Sequence, residues 1–497
     1  MAELSGASAP ASATYSAPYK RLVLSLLLLA YTLNFIDRTI IATIGQAIKV
    51  DLKLTDAQLG LLGGLYFALL YTILGIPIAR LAERTSRVNI ISGAVLIWSA
   101  FTALCGSATS FLTLSAFRFG VGFGEAGLSP PAHSLLSDYH PPERRASALS
   151  VYSFGIPLGT MFGAIMGGWL AQNLSWRAAF VVVGAPGLIV AVILKLLVKE
   201  PLRGGSEPLG SRPLAARAPL SLRSEFSEIS TVARTLFLKW PVLNVVLGVT
   251  LVSFAGYGGG QFVSPYFIRT FGLNYAQTGL IVGLAGGFSQ GIGTLAGGFV
   301  TDRLAKSGGR WYALAPAIGV TLAFPFVVAI YSVSSWQAAA MFMLAPGLLS
   351  YVYLGPTFGV IQNMVAPGRR ATATALMFFV LNLVGLGGGP PLAGWLIDQF
   401  AAFHFAHPQS TGVFDALWGL FHGRATPFRL VCPGGLAPKG AGAGAAAACH
   451  TALVHATRHG VIVAYAFGLW GALHYLLGSF GIGKALSDAR RERGEAA

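Results

Sequence analysis

Twelve apolar stretches, each about 20 residues long, follow one another along this chain, near 22–47, 57–79, 89–108, 111–137, 146–171 and 177–198, then 242–267, 277–300, 311–332, 337–362, 371–397 and 460–484. About 20 apolar residues wound as a helix cross the hydrocarbon of a bilayer. Only helices and closed barrels satisfy their backbone polar groups in lipid. Stretches of this length therefore predict an all-α membrane protein with twelve transmembrane helices. The chain is 54% hydrophobic and 10% charged, against about 25% charged in an ordinary soluble domain. The apolar excess must face lipid. Its 63 glycines and 26 prolines suit membrane helices better than soluble ones.

The net charge of +16 does not describe a nucleic-acid surface. Lys and Arg sit in short runs between apolar stretches, as loop charges do in membrane proteins. Arg80, Arg84 and Arg87 follow span two, and Arg144 and Arg145 follow span four. Arg303, Lys306 and Arg310 follow span eight, and Arg369 and Arg370 follow span ten. The loops after spans three, five and nine are nearly free of Lys and Arg. Positive loops stay inside, so both termini and the central linker are expected in the cytoplasm and the chain in a cell inner membrane. No cleavable signal peptide is evident. The first apolar stretch has the length of a full span and contains Asp37 and Arg38.

The chain repeats itself. Pro142-Glu-Arg-Arg-Ala-Ser-Ala148 recurs 225 residues later as Pro367-Gly-Arg-Arg-Ala-Thr-Ala373, and Glu83-Arg84 recurs 219 residues later as Asp302-Arg303. Two charged loops at nearly one offset predict two parallel six-helix bundles with pseudo-symmetry. The expected organisation is a disordered tail at 1–20, an N-terminal bundle at 21–198, and a basic, proline-punctuated linker at 199–240. That linker could hold an amphipathic helix near Ser221–Leu238. A C-terminal bundle at 241–485 and a tail at 486–497 follow. Residues 398–459 read as an extended periplasmic loop.

These features resemble the major facilitator superfamily over essentially the whole chain. Ala79-Arg-Leu-Ala-Glu83-Arg84-Thr-Ser-Arg87 is an imperfect copy of the family's loop after span two. Gly298-Phe-Val-Thr-Asp302-Arg303 is a closer copy, and Ser175-Trp-Arg-Ala-Ala-Phe180 looks like the family's entry to span six. Within the superfamily the chain resembles the spinster branch, through Leu33-Asn-Phe-Ile-Asp-Arg38, Arg118-Phe-Gly-Val-Gly-Phe-Gly-Glu-Ala126 and Gly155-Ile-Pro-Leu-Gly159.

Charges inside spans are the strongest functional clue. Each costs about 2.5–3.5 kcal/mol at a helix centre on insertion scales, so it needs a partner or a wet cavity. Asp37, Arg38, Arg118 and Glu125 stand out. Asp37 lies about 15 residues, or roughly 23 Å, into span one, and span four brings Arg118 to a similar depth. The pair could form a packing salt bridge or a gate. Arg118, Gly122 and Glu125 share one helix face; Gly122 and Gly124 keep it slim, and Pro130 and Pro131 interrupt it. A carboxyl in an apolar cavity favours its protonated form. Glu125, with Asp37, is therefore the candidate proton carrier, its protonation loosening its hold on Arg118 or Arg38. The resemblance implies the same roles. Arg38 and Arg118 suit a phosphate or carboxylate head, and Asn34, Phe67, Tyr66, Tyr257, Gln261 and Asn382 are candidate cavity-lining residues.

A second set of charges could hold the cytoplasmic side shut: Glu83, Arg84 and Arg87 with Asp138 and Arg145, and Asp302 and Arg303 with Arg370. Gly256-Tyr-Gly-Gly-Gly260 and Gly385-Leu-Gly-Gly-Gly-Pro-Pro391 occupy matching spans, as hinges or as sites of close packing. The loop at 398–459 carries six of the nine histidines together with Cys432 and Cys449. A Cys432–Cys449 disulfide is possible there. The histidine spacings fit no standard zinc pattern, so no metal is expected.

No phosphate-binding Gly-x-x-x-x-Gly-Lys-Ser/Thr loop occurs, and no catalytic cluster is placed. No cofactor and no enzymatic activity are expected. The reading is an alternating-access secondary transporter, monomeric and proton-coupled. The resemblance implies a lipid-like, amphiphilic substrate such as a lysolipid or a sphingoid-like molecule. An exporter of small hydrophilic organic acids or drugs, or a transporter-like receptor without flux, remains open.

Overall fold

The computed structural model describes residues 15–82, 84–140, 148–149, 151–202, 222–365, 369–422, 427–438 and 440–492, and among them every regular element is helical. Among the described residues, eleven segments are long and apolar enough to cross a membrane: Ala17–Thr43, Asp56–Ile78, Arg87–Cys105, Val151–Asn173, Trp176–Leu197, Trp240–Phe271, Tyr275–Ala305, Trp311–Ser332, Trp336–Ile361, Thr372–Ala406 and Ala443–Ser479. Span four is the twelfth. It is divided into Phe111–Glu125 and Ser129–Tyr139. Pro130 and Pro131 lack the amide hydrogens that would bond back one turn, so the helix stops and restarts just before them.

The spans starting at the end opposite the termini, called here the far end, share a device. Spans two, four, six, eight and ten open on Thr55, Ser110, Ser175, Asn274 and Ser335, each accepting a hydrogen bond from a first-turn amide. Thr55, Ser110 and Asn274 complete reciprocal capping boxes. Such caps satisfy amides that lipid cannot.

Spans one to six enclose one apolar core, and spans seven to twelve enclose a far and a near cluster. Between the halves, spans two and eleven touch backbone to backbone. A Cβ on Gly60 would lie 2.1 Å from the Pro390 carbonyl oxygen, and one on Gly394 would lie 2.1 Å from that of Asp56. These approaches fall in the far half of span two. Spans five and eight stay together further, from Gly168 beside Tyr275 to Gly291 beside Pro157. Midway along span seven, Tyr257 keeps 38% of its surface accessible, so the space between the halves is not filled there.

Several helices differ in length from the expectation. Span eleven continues to Ala406, and span twelve begins at Ala443. The Gly/Ala run at 440–448 is therefore mostly helix, because alanine is the best helix former. The far-end loop shrinks to 407–442, and His404, His450, His455 and His459 belong to the two spans. The linker helix is Leu222–Phe237, with Val232 and Leu236 buried in the near cluster. The expected C-terminal tail is instead a helix, Ile482–Glu492, seated by Ile482, Leu486 and Ala489. The tail at 1–14 and the linker at 203–221 lie outside the described residues, as does most of the Pro142–Ala148 repeat.

Candidate functional site

Glu125 lies on the last turn of the first piece of span four and is fully buried. Its Oε2 accepts a 2.7 Å hydrogen bond from Arg38 Nε on span one. The Arg38 side chain keeps 18% of its surface accessible. Its guanidinium lies over the rings of Phe35, Phe67 and Tyr71, at 5.1, 4.9 and 4.7 Å. An arginine among aromatic rings is held flat and oriented. One cation thus faces the space between the halves while tied to a carboxylate.

Asp37, one residue earlier, points elsewhere. Its Oδ2 accepts from Thr102 Oγ1 on span three at 3.1 Å, and Oδ1 has no hydrogen-bond partner. Arg118 does not reach it as an ion pair. Its Nε donates to the Leu62 carbonyl at 3.2 Å, its Nη1 is unpartnered, and its guanidinium lies 5.3 Å from the Phe67 ring centre. Of the two partners left open for Glu125, Arg38 makes the contact. Both arginines lie beside the Phe67 ring, and the burial of four ionisable groups is costly for folding alone.

The other lining candidates divide. Asn34 is buried beside Glu125. Tyr257 shares the neighbourhood of Arg38 and Tyr71. Tyr66 turns away and packs on Phe111 and Phe119. Gln261 is buried where span seven breaks, so close to span two that a Cβ on Gly63 would lie 2.2 Å from its Oε1. Asn382 is buried in a widened, π-helical stretch of span eleven, Leu381–Leu386. Sequence reasoning missed much of the tyrosine wall. Tyr31 stacks on Tyr152 with ring centres 4.3 Å apart, with His133 edge-on to Tyr152 at 5.4 Å. From the other half, Tyr351 and Tyr353 lie toward Tyr257.

A charged cluster at the far end was also missed. Arg269, near the end of span seven, donates from Nη2 to Asp56 Oδ1 at 2.6 Å, from Nε to Gln46 at 2.8 Å and from Nη1 to Thr457 at 2.8 Å. Lys49 donates to Asp56 Oδ2 at 2.5 Å. Asp398 of span eleven accepts from the amides of Asp56 and Ala57, at 2.9 and 2.8 Å, at the start of span two. Burial lowers the Lys49 ammonium below its ordinary range, against the opposing pull of Asp56. These groups join the first half to the second.

Of the charges expected to hold the near end, Arg87 and Asp138 pair as expected. Arg87 is 1% exposed; it donates to Asp138, to Glu200 at 2.7 Å, and to Ser134 Oγ and the Pro201 carbonyl. These contacts tie the near ends of spans three and four to the start of the linker after span six. Arg84 and Arg303 are exposed. Glu83 and Arg145 lie outside the described residues, as do the side chains of Asp302 and Arg370. Within the glycine runs of spans seven and eleven, Gly258, Gly259 and Gly389 pack closely, a Cβ on Gly389 lying 2.3 Å from the Phe254 carbonyl oxygen, whereas Gly256 and Gly260 face open space. Span seven also breaks at Gln261–Phe262. Cys432 and Cys449 are joined as a disulfide with Cα atoms 5.9 Å apart. Among the described residues no group of three or more His, Cys, Asp or Glu is arranged to hold a metal.

Two helical bundles closed on each other at one end, with a charged pair at the wall of the space between them, define a membrane transporter. Residues 27–390 match the Major Facilitator Superfamily. A crystal structure of a bacterial homologue of the human lysosomal transporter Spinster, inward-facing and unoccupied, is 33% identical, covers 95% of this chain and 99% of that one, and superposes with a TM-score of 0.81. An MFS-type efflux pump of Mycolicibacterium smegmatis is 32% identical over 75% of this chain and 83% of its own length. A hexuronate transporter of Bacillus subtilis is 27% identical over 79% of this chain and 91% of its own. The chain belongs to the Major Facilitator Superfamily, and within it is related to Spinster.

Proposed function

We propose that this protein is a proton-coupled, alternating-access transporter of an amphiphile with an anionic head group. The observation that carries the reading is the Arg38–Glu125 pair. While Glu125 is ionised, Arg38 is neutralised within the protein. A proton arriving at Glu125 removes that competitor, and Arg38 becomes an uncompensated cation facing the cavity. It can then take a phosphate or carboxylate in bidentate geometry. The aromatic faces of Phe35, Phe67, Tyr71 and Tyr257 suit an apolar tail. Asp37, buried one residue before Arg38 and turned toward Thr102, is the second proton-holding candidate. Proton and substrate thus each take one member of the same ion pair, so they bind together and their fluxes become linked.

The near end is assigned to the cytoplasm on its basic loops, with both termini inside a bacterial inner membrane. The far-end cluster then closes the periplasmic side, and the described state faces inward. Because the cavity is enclosed by the two halves of one chain, the monomer is the transport unit.

The names of the relatives favour a second reading, a small hydrophilic organic acid or a drug as cargo. Flux into proteoliposomes separates the two. A labelled lysolipid and a labelled hexuronate would each be offered, with and without a pH gradient, to the wild type and Glu125→Gln. Lysolipid flux driven by the gradient and undriven in the variant supports the proposal. Hexuronate flux alone moves the assignment to the hydrophilic cargo. A gradient response retained in Glu125→Gln removes Glu125 as carrier.

A further inference from the structure

The far-end segment between spans eleven and twelve carries a feature that transport does not use. After Ala406 the chain turns and forms a ten-residue helix, Val413–His422. Ala416, Leu417 and Leu420 pack inward with the far apolar cluster. Phe414, Trp418 and Phe421 point outward with 80, 67 and 82% of their surfaces accessible. At 100° per residue these three fall within an arc of about 60°. Asp415 sits about 60° beyond that arc and accepts a hydrogen bond from Ser410. Three large aromatic side chains stacked along one exposed arc need a covering.

The height of the helix selects the covering. It doubles back on span eleven, so that a Cβ on Gly419 would lie 2.3 Å from the Phe403 ring. Phe403 is five residues beyond Asp398, which caps the start of span two. Five helical residues rise about 7 Å. The zone between hydrocarbon and bulk water is about 5–7 Å thick on each side of a bilayer. The apolar stretch of span two begins at that cap; taken as the hydrocarbon boundary, it puts the helix at head-group height, with its aromatic arc exposed on the side away from the bundle. Phe and Trp are the side chains that settle at this boundary. Exposed Arg429 and Leu430 follow in the same segment, a cation and an apolar side chain suited to the same interface.

We infer that Val413–His422 is an interfacial anchor, with Phe414, Trp418 and Phe421 immersed in the far leaflet of the membrane that the protein spans. Behind it the Cys432–Cys449 disulfide and the Pro433–Gly435 turn fasten the segment. Gly434 and Gly435 pack over Lys49, Val50 and Lys53 of the first half. The anchor thus ties the far-end seam to the lipid surface.

Nitroxide labels on the full chain in phosphatidylglycerol/phosphatidylcholine vesicles test this. Labels would be placed at Phe421→Cys and Asp415→Cys in a Cys105→Ser background. The expected result is a label at 421 that collides with oxygen and is several-fold less accessible to a water-soluble nickel chelate than the label at 415. Equal nickel accessibility at the two positions would overturn the anchor and leave the arc for a protein partner. Should the labelled variants fold poorly, lipids brominated near the head group replace them. The emission difference between wild type and Trp418→Phe should be quenched by these lipids; an unquenched difference overturns the proposal.

Discussion

Arg38 performs two tasks that a substitution can separate. It supplies a charge to Glu125, and it lies flat among Phe35, Phe67 and Tyr71. Lysine keeps the charge but loses the fork and the stacking. Arg38→Lys should weaken substrate binding about 10-fold, as loss of roughly 1–1.5 kcal/mol would, and leave gradient coupling in place. Arg38→Ala should abolish binding. Equilibrium binding of a labelled lysolipid to detergent-purified protein checks both, and equal affinities for Arg38→Lys and wild type would remove the stacked arginine from the head-group site. The four intramembrane charges were visible in the sequence because a charge in an apolar run is conspicuous. Their pairing was not visible. Asp37 and Arg38 are adjacent in sequence, and only the rotation of span one sends the first to Thr102 and the second to Glu125. Arg269 and Asp56 escaped notice for another reason. Each sits near a span end, where a charge reads as an ordinary boundary, and 213 positions separate them.

At the scale of elements, the helices follow from patterns that sequence shows well, and the exceptions have physical causes. Alanine carried span twelve beyond its apolar stretch, and the double proline divided span four. The π-helical stretches Val282–Phe288 and Leu381–Leu386 have no local signature beyond their glycines. Small residues matter most where two elements must slide apart. A Cβ on Gly60 or Gly394 would lie 2.1 Å from opposing backbone, whereas one on Gly256 would meet nothing within 4 Å. Backbone cannot rotate out of the way as a side-chain tip can. Gly60→Ala and Gly394→Ala should therefore prop spans two and eleven apart and raise far-end opening, while Gly256→Ala should behave as wild type. Reaction of an introduced cysteine at Ala57 with a membrane-impermeant thiol reagent would report this. Several-fold faster labelling is expected in the first two variants. If all three react at one rate, the glycine contact does not control far-end closure.

The whole molecule must pass between two arrangements, and the charges that hold the far end set part of that balance. Asp56 receives Arg269 from one side and Lys49 from the other, while Asp398 holds the first amides of span two. Opening the far end parts Asp56 from Arg269 and exposes both to water. Removing one member of a buried ion pair costs about 3–5 kcal/mol where the partner stays buried and unpaired. Here the partner has a second cation in Lys49 and, in the open state, water. Much of that cost therefore appears only in the closed state. Arg269→Ala should accordingly shift the equilibrium toward far-end opening. A shift of about 1.4 kcal/mol changes the population ratio tenfold. Distance measurements between spin labels on the far ends of spans two and eleven should show a longer component growing at the expense of the short one. Asp56→Asn should do the same, since it removes the acceptor charge shared by both cations. The double variant should add little to either single change, because the two residues act through one contact. Additive shifts would mean that Arg269 and Asp56 hold the far end through separate interactions. Unchanged distances in both single variants would place the closing force in the backbone contacts of spans two and eleven, and would leave the charge cluster to position Asp56 at the head of span two.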